Sequence, residues 1–402
     1  MTTSTTSSVP LPPQPALAPA PVSTTPQPAA QRFRGRIRGI DLARGLAILG
    51  MIWAHVKPII YEPGTVSYIL SEIPSGRSSA LFAFLAGISL AILSGRNVTY
   101  TGEQLRHAQL RIVGRAVILL AFAAFLSIFP TVIAVILGFY AAWFILAVPF
   151  LHWSPKKLGI AAGVVALIGP QIINGFHYLS YTFDIFLSGG VNAYLYEVLL
   201  TGMYPGLAYM AYVFAGMAIG RLDLNSTAVR LRMLTAGLAI SVVGYGSGYF
   251  ASGIFTPSIE PIPMDDVDAL SLIPKGPMIG PWDFFSIEPH TNTTPEVLGN
   301  LGFALIVLAL CLWLTPLAKN VFFPIAAVGS MSLTAYVGHA FGLYFKDDWF
   351  MSTSPTPFLI VAGAALAFCT IWALLPLRRG PLEWVTYVFS QWFARPALSV
   401  RP

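Results

Sequence analysis

Apolar runs of 18 or more residues without a charge recur along this chain, and nothing else in it restricts the fold as strongly. Each is long enough to cross ~30 Å of hydrocarbon as a helix. Lipid offers no partners to open backbone groups, so a spanning run must close its hydrogen bonds within itself. A membrane β-barrel would show ~10-residue alternating segments, and residues 116–128 and 301–314 do not alternate. Composition agrees. Only 10% of the 402 residues are charged and 55% are hydrophobic, whereas a water-facing domain carries about 25% charged residues. The predicted class is all-α, a polytopic membrane protein of about ten transmembrane helices.

The spans are predicted near 40–59, 78–95, 113–129, 131–150, 158–174, 204–220, 234–253, 298–315, 324–345 and 357–376. The third and fourth meet in a tight turn at Phe129-Pro130, and Gly244, Gly246 and Gly248 weaken the seventh. With the N-terminus in the cytoplasm, the inner segments hold 19 of the 23 Lys and Arg residues, and 13 of the 17 acids fall outside. That is the positive-inside bias, so both termini are expected in the cytoplasm and the site in a plasma membrane. The same distribution argues against nucleic acid as the partner of a chain with net charge +6; membrane lipids are the expected partner, and a homodimer is one assembly open to it. Residues 1–31 read as a disordered cytoplasmic tail without the basic and apolar regions of a signal peptide. Residues 32–390 read as one transmembrane domain and 391–402 as a C-terminal tail. The outer segment 175–203 reads as lying along the interface. The outer segment 254–297 ends in a polar cluster, residues 289–296. Cys311 and Cys369 both sit in predicted spans, which makes a disulfide framework an unlikely reading.

Ionisable residues inside a span are costly and mark function by default. The first span holds three: Asp41, Arg44 and His55. Asp41 and Arg44 are three apart and can pair on one helical face. His55 follows Arg44 by eleven residues, about three turns, so both point the same way about 16 Å apart along the axis. A cation at the inner end suits an anionic phosphate, and an imidazole at the outer end suits general acid–base work. The blander reading makes Arg44 a snorkelling boundary residue and His55 a packed polar one. His339 lies deep in the ninth span, and His290 sits in the 289–296 cluster with Glu296 and near Asn300. Lys57 and Arg77 are two of the few outer cations, and Arg77 either recognises substrate or anchors its helix end. Arg111, Arg115 and Arg221 lie in basic inner loops. His107, His152 and His177 carry no assignment. The chain shows no paired His or Cys spacing for a metal, nor a Walker A loop, a GxSxG elbow or a dinucleotide fingerprint.

The opening Arg36-Ile-Arg-Gly-Ile-Asp41-Leu-Ala-Arg44-Gly-Leu-Ala and the second-span Ser79-Ala-Leu-Phe-Ala-Phe-Leu-Ala-Gly-Ile-Ser-Leu resemble the heparan-α-glucosaminide N-acetyltransferase-like and YeiB-like membrane proteins. Gly329-Ser-Met-Ser-Leu-Thr-Ala-Tyr and Gly380-Pro-Leu-Glu-Trp384 look YeiB-like (DUF418-type). Arg44 and His55 also fit the Arg-x10-His pattern of the acyltransferase-3 family. The resemblance implies acyl transfer from cytoplasmic acetyl-CoA, or another short acyl-CoA, to a sugar or glycolipid acceptor at the outer face, with no metal. It implies that Arg44 lies on the CoA side and that His55 is catalytic, either deprotonating the acceptor or taking the acyl group transiently. Arg111, Arg115 and Arg221 would hold phosphates. His290, His339 and Glu296 would complete the catalytic set, and Arg77, Lys57 and Asn300 would contact the acceptor, around a cavity between the first, second, eighth and ninth spans. The rival class is a transporter of a small anionic or lipid-linked solute, which would show similar buried polar groups. A structural scaffold leaves the charges of the first span unexplained.

Overall fold

A computed structural model describes residues 37–60, 64–129, 133–183, 190–255, 284–377 and 379–395. The N-terminal tail with Arg32, Arg34 and Arg36, the turn at Pro130, most of the long outer segment including Lys275, and Arg378 and Arg401 lie outside these residues. Every regular element among the described residues is helical. In chain order these are α1 (Arg38–Val56), α2 (Val66–Glu72), α3 (Arg77–Leu93), α4 (Gly102–Ser127) and α5 (Ile136–Ala147). Then come α6 (Pro155–Thr182), α7 (Gly190–Tyr196), α8 (Gly206–Gly220), α9 (Thr227–Phe255) and α10 (Thr294–Leu317). The chain closes with α11 (Phe323–Ser330), α12 (Ser332–Tyr344), α13 (Thr356–Leu374) and α14 (Pro381–Ala394).

Helix falls on all ten predicted spans, but not as ten unbroken membrane crossings. Among the described residues seven helices are long and apolar enough to cross a bilayer, or up to eight if a bent pair counts as one span. The sixth predicted span belongs to that pair, 193–201 with 206–220, bent by 60°. The fourth, Ile136–Phe150, is a shorter apolar helix. The ninth is two helices, α11 and α12, broken at Met331, whose backbone leaves the helical region (φ −125°, ψ 37°). The seventh is one unbroken helix despite its glycines. Gly244 there serves packing, since a Cβ on it would stand 2.3 Å from the backbone nitrogen of Gly299 in α10.

Residues 175–182 do not lie along the interface as a separate element. They prolong α6 past the expected end of the fifth span, to a length of about 42 Å at 1.5 Å per residue. The last helix likewise runs to Ala394, beyond the expected domain edge at 390, with Ser390 and Ala394 buried.

The interior is built from α1, α3, α8 and α10, whose faces are mostly buried; α9 and α13 keep broad apolar faces outward. Close crossings explain why. At the α1–α11 crossing a Cβ on Gly329 would stand 1.8 Å from the Asp41 carbonyl oxygen. At the α3–α8 crossing a Cβ on Gly216 would stand 1.9 Å from the Phe84 carbonyl oxygen. Between helices in lipid, association comes from such close backbone contact rather than from a hydrophobic drive. The first crossing holds Arg44 against α11, and the second brings Tyr209 of α8 within 2.9 Å of the Ser79 hydroxyl of α3.

Candidate active site

Arg44 is held from three helices. Its Nη1 lies 3.4 Å from Asp41 Oδ1 and donates to the Gly329 carbonyl at 3.4 Å, and its Nη2 donates to Ser89 Oγ at 2.9 Å. It lines a cavity of about 550 Å³ with Arg115, Tyr140, Arg379, Glu383 and the residues of the Met331 break. Three guanidinium groups therefore face one space. The single acid there, Glu383, is engaged: its carboxylate accepts from the backbone N–H of Leu333 (2.8 Å) and Thr334 (3.1 Å) and from the Thr334 hydroxyl (2.6 Å). It thus caps the open start of α12, where N–H groups lack helical partners. Arg115 Nε is buried with no partner. Arg379 lies over the Tyr387 ring at 3.6 Å. This donor set fits a phosphate-bearing ligand.

The other end of α1 opens on a second cavity of about 400 Å³, lined by His55, Lys57, Ser79, Tyr204, His290 and Phe350 among others. It shares no lining residue with the first. The expected single cavity between four helices is divided: one cavity lies at the Arg44 end of α1, and at the other end His55 lines both this cavity and a neighbouring one of about 230 Å³. Ile48 and Met51, on the Arg44–His55 stripe by helical period, are both buried between them.

In the second cavity His55 Nδ1 lies 3.2 Å from His339 Nε2, and His339 Nδ1 lies 3.1 Å from the Ala335 carbonyl. The two rings are nearly parallel, 19° between their planes, with centroids 5.3 Å apart. His290 sits on a loop at positive φ (67°), its ring edge-on to Tyr204 at 5.3 Å and its Nδ1 buried without a partner. Burial pulls its pKa down from 6.5 to about 4, so it is neutral near pH 7. Lys57 pairs with Glu72 and donates to Ser75 Oγ at 3.2 Å. That pairing cancels both charges at the cavity wall.

The remaining predicted residues sit elsewhere. Glu296 lies beneath the His290 loop, not among the cavity-lining residues. Its carboxylate accepts from the backbone N–H of His290 (2.8 Å) and Asn292 (2.6 Å), from the Thr291 hydroxyl (3.3 Å) and from Asn300 Nδ2 (3.1 Å). Thr293 caps α10 by accepting from the Glu296 N–H at 3.2 Å. Asn300 Oδ1 accepts from Tyr245, and the Tyr245 hydroxyl accepts from Arg77 Nε, each at 2.8 Å. Arg77, Tyr245, Asn300 and Glu296 thus form one strut behind the second cavity. Arg221 is spent on structure: it donates to the carbonyls of Arg96 (3.1 Å) and Leu151 and to Ser94 Oγ, tying the ends of three helical segments together. Arg111 faces Gln391, whose amide oxygen can accept from Nε at 3.2 Å. Among the described residues no group of three His, Cys, Asp or Glu could hold a metal.

Sequence reading missed Arg379 and Glu383 as site residues. They stand in Arg378-Arg379-Gly-Pro-Leu-Glu383, a basic stretch that reads as a headgroup contact. Tyr140 and Ser89, ordinary residues of apolar helices, and Phe350, in the short turn Asp347–Met351, carried no signal until packing brought them to the cavities.

A helical bundle with several apolar helices long enough to cross a bilayer, an arginine-lined cavity at one end of α1 and a histidine-lined cavity at the other defines a class: polytopic membrane proteins with separate polar cavities. Residues 36–247, more than half of the chain, match the heparan-alpha-glucosaminide N-acetyltransferase catalytic family, and the chain belongs to it. The family supports a membrane acetyltransferase. Residues 270–392 match a family described as a protein of unknown function, DUF418. No curated protein matches the chain. The site draws on both matched regions: Arg44, His55 and Arg115 fall in the first, and His290, His339, Arg379 and Glu383 in the second.

Proposed function

We propose that the protein transfers an acetyl or short acyl group from cytoplasmic acyl-CoA to a hydroxyl or amine of a sugar or glycolipid at the outer face of a plasma membrane, with both termini in the cytoplasm. The observation that carries this reading is the pair of cavities on one helix, three guanidinium groups at one end and a paired imidazole at the other. Arg44, Arg115 and Arg379 would hold the phosphates of the donor. In the outer cavity Lys57 and Glu72 neutralise each other, which suits an uncharged acceptor. His55 would take the proton of the acceptor O–H or N–H as oxygen or nitrogen attacks the thioester carbon. The C–S bond then breaks, and the proton passes to the departing thiolate. Transient acylation of His55 is the alternative order of the same bonds. The acyl-bearing arm must pass Ile48 and Met51, so these side chains move during the reaction. His290 and Tyr204 would flank the acceptor.

A buried layer between two cavities also suits a transporter. The test is transfer from labelled acetyl-CoA, in membranes supplied with sugar acceptors, by wild type and His55→Ala. Labelling that falls to background in a folded His55→Ala protein is the expected result. Equal labelling in both defeats the catalytic assignment, and solute flux without any need for acyl-CoA favours the transporter.

A further inference from the structure

We propose that His339 is a positioning residue that sets the tautomer of His55, leaving His55 Nε2 as the free base; the inference rests on the assignment of His55 above. The argument begins at the backbone. A carbonyl oxygen only accepts hydrogen bonds, so the His339 Nδ1 that lies 3.1 Å from the Ala335 oxygen carries a proton. A neutral imidazole holds one N–H, and His339 Nε2 is therefore an acceptor. Its neighbour at 3.2 Å is His55 Nδ1, which must donate. The lone pair of His55 is then left on Nε2, which has no hydrogen-bond partner among the described residues, while His55 itself lines the outer cavity.

Unassisted histidine in water favours the opposite tautomer, with its proton on Nε2, so the pairing reverses an intrinsic preference. His339 is suited to nothing else in the transfer. It is 5% exposed, is not among the residues that line the outer cavities, and is wedged edge-on against Tyr336 at 5.1 Å. A backbone carbonyl and a second imidazole here do what a carboxylate does for the base of a hydrolase triad. The helix carrying both Ala335 and His339 is tied at its start to α14 through the Glu383 carboxylate.

The variants are His339→Leu, which removes the acceptor, and His339→Gln, whose amide oxygen can replace it. The expected result is a fall in kcat of about 10²–10⁴-fold for His339→Leu, the range for a misplaced or mis-protonated general base, with KM for acceptor and donor little changed. His339→Gln should recover at least about tenfold of that loss, as one restored hydrogen bond of about 1.4 kcal/mol would give. Nitrogen-15 spectra of the histidine-labelled protein, with His55 assigned by difference from His55→Ala, should show His55 protonated at Nδ1 in wild type and at Nε2 in His339→Leu. Full activity of His339→Leu, or wild-type His55 protonated at Nε2, overturns the proposal. If His339→Leu fails to fold, the wild-type spectrum alone decides. An inactive His55→Ala beside a fully active His339→Leu refutes this inference and spares the catalytic one; an active His55→Ala refutes the catalytic one.

Discussion

Glu296 offers the clearest quantitative test of how the outer cavity is held. Its two carboxylate oxygens divide four donors: Oε1 takes the His290 N–H and Asn300 Nδ2, and Oε2 takes the Asn292 N–H and the Thr291 hydroxyl. His290 and Asn292 both sit at positive φ, 67° and 54°, a conformation that non-glycine residues hold only when their surroundings impose it. Replacing Glu296 by Ala removes all four bonds and leaves the buried Asn292 N–H without a partner. Hydrogen bonds to a charged group are worth about 1.5–3 kcal/mol each, so losing the two backbone bonds alone should lower the free energy of opening this loop by about 3–6 kcal/mol. At 1.36 kcal/mol per decade, amide exchange should accelerate about 10²-fold or more. Glu296→Gln should be nearly as damaging, because its NH₂ would face two donors. The assay is hydrogen–deuterium exchange of a peptide spanning 288–293, with one from α3 as internal reference. Exchange of the 288–293 peptide unchanged in both variants would refute the strut and return Glu296 to the list of direct catalytic candidates.

Two further predictions concern packing and the inner cavity. Gly329→Val places a side chain against the Asp41 carbonyl and the Gly45 nitrogen, and should cost more than the ~1–3 kcal/mol of ordinary overpacking; Gly338→Ala in α12, where a Cβ meets nothing within 4 Å, is the control, and a Gly329→Val protein melting like the control would refute the crossing. Arg115→Ala and Arg379→Ala should each raise KM for acyl-CoA by roughly 10–100-fold, the worth of a charge-assisted hydrogen bond, whereas Arg221→Ala should lower the melting temperature and leave KM alone; the reverse pattern in donor titrations would show that the phosphate site is misplaced.

Much of the molecule was legible one segment at a time. The positions of the helices follow from apolar runs that lipid forces to satisfy their own backbone groups. The shared face of Arg44 and His55 follows from the helical period. The breaks at Met331 and before Gly206 did not follow, because they depend on neighbours: the first on the Glu383 carboxylate, supplied from fifty residues downstream. Equally, Arg115 and Arg221 look alike as basic residues of inner loops, yet one lines a cavity with Arg44 and Arg379 and the other donates to three acceptors at the ends of neighbouring helices.

The amino-acid sequence by itself determined that this chain lives in a membrane as helices, with a cation and an imidazole on one stripe, since those consequences depend only on hydrocarbon thickness and a 3.6-residue turn. The tertiary structure alone decided that His55 meets His339 across 284 positions of chain, that Arg379 joins Arg44 and Arg115, and that separate cavities stand at the two ends of α1 where one was expected. Those pairings belong to helix crossings set by glycine contacts, and short-range periodicity carries no record of which helix will lie against which.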